Sequence, residues 1–169
     1  MNRLSLLILA ASLGGALHAQ STNPLIAESK ATYTGVKNNF LKAADKMPED
    51  AYSFKPSPDV QSWGERIAHV ANQIGTCSSL TGERKPSQAA GKTSKADLVA
   101  ALKASFDACD AAWDSMNDKT AMEMVAGRGG QTSKLGTLIR NTNHDSEMYG
   151  YLSVYMRLKG VVPPSSEPR

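Results

Sequence analysis

Four stretches of this chain repeat apolar side chains every three or four positions, and no stretch shows the apolar–polar alternation of a half-buried strand. That pattern restricts the fold to packed helices. The first stretch runs from about Pro24 to Lys46. Asn23 is placed to cap it, Pro24 takes its first position, and Ile26, Tyr33, Val36, Phe40 and Ala44 line one side. A proline-rich connector, "MPEDAYSFKPSPDVQ", follows. The second stretch opens at "SWGE", where Ser62 and Glu65 have the spacing of a capping box, and carries Trp63, Ile67, Val70, Ile74 and Cys77 to an end near Thr81–Gly82.

The third begins at Ser94, with Asp97 in its first turn and Leu98, Leu102, Ser105, Cys109, Ala112 and Met116 in three-four spacing. Phe106 and Trp113 widen its buried face. The fourth starts at Thr132 or Ser133, after a Gly-rich "AGRGGQ" read as a flexible entry loop, and continues to Leu158. Gly160 suits its C-terminal cap, and Pro163–Pro164 forbid continuation. The expectation is an all-α four-helix bundle, followed by a Pro/Ser-rich tail over 161–169.

The link between the second and third helices, "GERKPSQAAGKT", is long for a bundle turn. Extended, it spans ~40 Å, more than the ~30 Å of a 20-residue helix, so the two helices can run parallel. Cys77 lies 15 residues after Ser62, and Cys109 lies 15 after Ser94. In a parallel pair they sit at matching depth; in an antiparallel hairpin they are out of register. Two readings stand for them: small buried apolar side chains, or one disulfide of an oxidising compartment.

The opening "MNRLSLLILAASLGGALHAQ" has Arg3, an apolar run from Leu4 to about Leu17, and Ala19 before Gln20. It is too short for a good membrane span and reads as a secretory signal peptide over 1–19, cleaved after Ala19. No cysteine follows the run to carry a lipid. The expectation is an exported protein, periplasmic or secreted, with no stable membrane anchor and a single domain over 20–169. Loss of Arg3 lowers the formal charge of +3 by one. So weak a balance, without basic and aromatic residues interleaved, gives no drive toward nucleic acid.

His18 leaves with the signal peptide, so the mature chain keeps His69, on the flank of the second helix's apolar stripe, and His144 on the fourth. Bundle cores do build metal sites from facing helices, but a catalytic zinc site takes three protein ligands, and spacing alone supplies two. "AGRGGQTSKLG" lacks Walker spacing and a preceding strand, and no nucleophile elbow is present. Cys77 and Cys109 sit on apolar faces, poor places for a thiolate nucleophile.

"YSFKPSPDVQSWGERIAHVANQ" together with "NHDSEMYGYLSVYMRLKGVVPPSS" resembles the DinB superfamily of metalloenzyme-like four-helix bundles, over about residues 24–166, and most closely its exported members. The resemblance implies a long connection between helices two and three, and zinc or nickel held by three histidines. One would be His69. The other two stand four apart on the fourth helix, the first at His144 and the second where this chain has Met148. A thioether is soft and uncharged, weak toward zinc or nickel and better matched to Cu(I). Glu147, Asp145, Glu65 or water would have to complete the set, and Glu147, ~60° around the helix from His144, is the best local substitute. Asn72 and Asn141 are candidate outer partners of the histidines. Tyr149, Tyr151 and Tyr155 read as packing residues, and Arg157 as a contact at the helix end.

Two functions follow from the resemblance. One is a degenerate, non-catalytic bundle whose pocket near His69, His144 and Met148 takes a small ligand, with no metal or a weakly bound one. The other is a divalent-metal-dependent hydrolase or thiol-dependent transferase with a modified ligand set. Pairing of two copies through helix faces is a further expectation.

Overall fold

The computed structural model describes residues 23–127 and 129–168. The proposed signal segment, residues 1–19, lies outside the described residues. Helix α1 spans Pro24–Lys46, with the Asn23 side chain accepting from the Leu25 amide. Helix α2 spans Trp63–Ala71 and opens with both halves of the capping box: Ser62 Oγ accepts from the Glu65 amide at 3.2 Å, and the Glu65 carboxylate accepts from the Ser62 amide at 2.6 Å. Short α3, Ile74–Ser78, continues the same direction. Helix α4 spans Lys95–Asp114, capped by Ser94. After a single turn, α5 at Asp118–Ala121, come strands β1, Met124–Gly127, and β2, Gly130–Ser133, and then the long α6, Lys134–Leu158.

Two features correct the sequence reading. The second helix is broken at Asn72–Gln73, where the backbone tightens to three-residue bonds, Gln73 N to Val70 O and Gly75 N to Asn72 O. The Gln73 side chain is drawn into the interior there. The Gly-rich entry segment is no loop: Met124 pairs with Ser133 and Gly127 with Gly130 in an antiparallel hairpin. Val125 and Thr132, β-branched and opposite one another, supply the cross-strand pair that periodicity over so short a run conceals.

The long link does cross over. Gly64 of α2 packs at Leu98 of α4, and Cys77 of α3 at Cys109 of α4, so pairs advance together along both helices. A Cβ on Gly64 would stand 3.1 Å from Tyr52 O and 3.2 Å from Leu98 Cδ1, which is what lets these helices approach. The cysteines are bridged, with Cα atoms 4.8 Å apart. Helices α1 and α6 also run together, Phe40 against Tyr149, whereas α1 meets α4 in the opposite sense, through Tyr33 with Phe106 and Trp113 and through Lys37 with Asp110 at 2.8 Å. The core is one apolar body in which Phe40, Trp63, Ile67, Leu102 and Leu152 are fully buried, each worth about 1.5–3 kcal/mol.

The tail is part of this body. Gly160 takes φ +70° at the end of α6, the left-handed conformation that favours glycine. Pro163 and Pro164 are buried, Tyr149 Oη accepts from the Ser165 amide at 3.0 Å, Arg157 donates to Ser166 at 2.9 Å, and Lys46 of α1 pairs with Glu167. Among the described residues, no helix is long and apolar enough to cross a membrane.

The bridge closes a chain segment of sequence separation 32. Confining that loop in the unfolded chain stabilises the fold by about 3–4 kcal/mol. Reduction, or Cys77→Ser with Cys109→Ser, is therefore expected to lower stability by that order in denaturant titrations. Reduction should also raise the mass by ~2 Da, one hydrogen for each sulfur. Identical titrations with and without reductant would contradict the bridge.

Candidate functional site

Helices α2 and α6 run in opposite directions and meet through three successive rungs of polar side chains. In the middle rung His69 and His144 face each other, Nε2 to Nε2 at 3.0 Å. Both histidines that the sequence singles out are thus brought together. His69 is exposed and His144 half-buried. Burial, the neighbouring His144 and then the positive charge of Arg66 lower the pKa of His69. At neutral pH the pair is therefore bridged by a single N–H donated from one ring to the other. On the far side of His144, Nδ1 lies 3.7 Å from Asp145 Oδ1, which favours the Nδ1–H tautomer.

The inner rung holds Gln73, Asn141 and Asp145. Asp145 has no solvent exposure, and the Gln73 and Asn141 amides touch beside it. Only a donor can face an ionised carboxylate, which assigns the Gln73 amide nitrogen to Asp145, 2.8 Å from Oδ2 and 3.1 Å from Oδ1. Asn141 Nδ2 lies 3.3 Å from Oδ2. Burial pushes the Asp145 carboxyl up to about 6, partly offset by hydrogen bonding and charge from His144 and by Gln73.

The outer rung holds Met148 and Arg66. Met148 is buried, and its sulfur accepts from Arg66 Nη1 at 3.8 Å. Arg66 Nε donates to Tyr155 Oη at 3.0 Å, which itself donates to Gln61 O at 2.7 Å. The guanidinium lies over the Tyr151 ring, 4.5 Å from its centroid, with the Tyr155 ring at 5.6 Å. Tyr151 and Tyr155 thus seat a cation, beyond the packing role the sequence suggests. Arg66 is the residue that sequence reasoning missed. Its place three before His69 and the tyrosines seven and eleven after His144 were the available signal.

The other sequence candidates fall elsewhere. Glu147 is exposed and accepts from Tyr151 Oη at 3.2 Å; Glu65 serves the α2 cap and Lys55. Asn72 lines a cleft toward the crossover link with Ala68 and Lys92, and makes no side-chain hydrogen bond to His69. Asn141 does join the inner rung.

The facing imidazoles suit half of a metal site, since tetrahedral zinc with ~2.0–2.1 Å bonds sets its ligand nitrogens about 3.3 Å apart. Met148, to which the resemblance assigns the third ligand position, does not suit one: its thioether sulfur carries a guanidinium. Among the described residues, no three His, Cys, Asp or Glu side chains are grouped to hold a metal ion. The residues present do not fit the three-histidine centre.

Asp145 holds its proton more tightly folded than unfolded, because its pKa rises from 3.8 to about 6. Its contribution to stability is full below pH 3.8 and declines as pH rises toward 6, by about 3 kcal/mol in total. Asp145→Asn removes this part of the slope. The variant's stability relative to wild type is expected to be more favourable at roughly pH 7.5 than at roughly pH 4, by that order, in denaturant titrations. An equal difference at both pH values would mean that the carboxyl ionises normally.

Solved structures share the arrangement of helices. A DinB-like protein from Bacillus cereus ATCC 10987 superposes with TM-score 0.68 at 20% identity, covering 82% of this chain and 95% of its own. A DinB-like protein from Bacillus subtilis gives 0.63 at 17%, covering 87% and 96%. A conserved protein from Enterococcus faecalis gives 0.62 at 14%, covering 78% and 95%. No curated protein matches this chain by sequence. The family profile of the DinB superfamily matches residues 32–151, from within α1 to the third rung's Tyr151. By that match and by its helix arrangement, the chain belongs to the DinB superfamily.

Proposed function

We propose that this protein is an exported DinB-like bundle whose inter-helix pocket, formed by His69, His144, Met148 and Arg66, takes a small ligand and holds no catalytic divalent metal. The observation that carries the reading is the Met148 sulfur, at the position where the resemblance expects a third histidine, accepting from Arg66 at 3.8 Å. Neutral thioether sulfur donates weakly to zinc or nickel, and an adjacent fixed positive charge opposes either ion further. Export is supported by the character of residues 1–19 and by the Cys77–Cys109 bridge, which persists in oxidising compartments.

The metal-dependent reading, a hydrolase or thiol-dependent transferase, is favoured by one observation, the imidazole nitrogens facing at 3.0 Å beside Asp145. Elemental analysis separates the two. Protein purified without a metal-binding tag and then dialysed is expected to carry far less than one equivalent of zinc or nickel, and His69→Ala to leave the content unchanged. One retained ion per chain, lost in His69→Ala, would establish the metal-dependent reading instead.

A further inference from the structure

Arg66 is unusual in its surroundings. Among the described residues, no carboxylate stands within ion-pair distance of its guanidinium, which is half-buried between helices. A buried charge without a counter-ion is costly unless something compensates it. Here the compensation is partial: the Tyr151 and Tyr155 faces, one hydroxyl and one thioether. Those contacts use Nε and one Nη1 hydrogen. Of the five N–H donors of a guanidinium, the others have no protein acceptor at hydrogen-bond distance among the described residues. The stacked rings and the Tyr155–Gln61 bond fix the plane of the group, so its free edge is preset rather than mobile.

The next rung sets the His69 imidazole on the same face of α2, since Arg66 and His69 are one turn apart. A planar fork of donors beside imidazoles is chemistry for an oxyanion, carboxylate or phosphate. The same fixed charge works against a dication placed between the imidazoles. We propose that Arg66 sets the charge selectivity of this pocket, so that it receives a small oxyanion and refuses a divalent metal. This rests on reading Met148 as the third corner, and it makes Arg66 rather than the missing histidine the stronger barrier to metal.

The test uses the full chain. Acetate and inorganic phosphate are titrated into wild type, Arg66→Lys and Arg66→Met, and the ring signals of His69 and His144 are followed by NMR. Saturable shifts are expected in wild type and, more weakly, in Arg66→Lys, with affinity at least about tenfold lower in Arg66→Met. Which of the two anions binds more tightly tells carboxylate from phosphate. Binding of either that is equal in Arg66→Met, or absent from wild type, overturns the proposal. In parallel, zinc is titrated into Met148→His, Met148→His/Arg66→Met and Met148→His/Arg66→Lys. Removal of the charge is expected to tighten zinc on the order of 100-fold over Met148→His, and its retention as lysine to give little gain. Equal zinc affinity in all three overturns the proposed role of the charge. Zinc bound by none of them shows instead that residue 148 is not the third corner, and the anion titration then decides the role of Arg66 alone.

Discussion

A carboxylate taken entirely out of water organises the middle of this molecule. Asp145 on α6 must have its lost hydration replaced, and the Gln73 amide supplies the donor. Bringing a glutamine inward from the second helix tightens the chain at Asn72–Gln73 and separates α2 from α3. Just beyond that break Cys77 meets Cys109, and just before it His69 meets His144. One buried charge thus lies between the crosslink of the fold and the side chains of its pocket.

The contact between α2 and α6 sets two kinds of chemistry side by side. Helices α2 and α6 hold two imidazoles as a metal would need them, yet the neighbouring rung carries a thioether and a guanidinium seated on two aromatic rings. The imidazole pair thus has a positive side chain one helical turn away. Function in this superfamily fold therefore has to be argued from the rung side chains, because the helices alone are compatible with either occupant.

Much of the architecture was legible in the sequence because caps and periodicity are local. Asn23 and Ser62 cap where their spacing placed them, Ser94 and Ser133 cap helices whose starts the pattern put there or one residue away, and the reach of the 82–93 link left room for the parallel α2 and α4. The break at Asn72–Gln73 was not legible, since the carboxylate that Gln73 faces lies 72 positions further along and is buried only in the assembled bundle. The hairpin escaped because four-residue strands carry too few alternations to register. Of the site, His69, His144 and Met148 were found by spacing and resemblance. Arg66 was not, because a helical arginine is ordinarily a solvated one and its seat is made by tyrosines from another helix.

The crossing link between α3 and α4 has a consequence for how the chain acquires its shape. Helices α1 and α2 follow one another yet make their principal contacts elsewhere, α1 with α4 and α6, and α2 with α4 and α6. The first and second halves of the chain therefore rely on one another to cover their apolar faces. A nascent chain lacking α6 would leave uncovered the sides of Phe40 and Trp63 against which Tyr149 and Tyr155 pack.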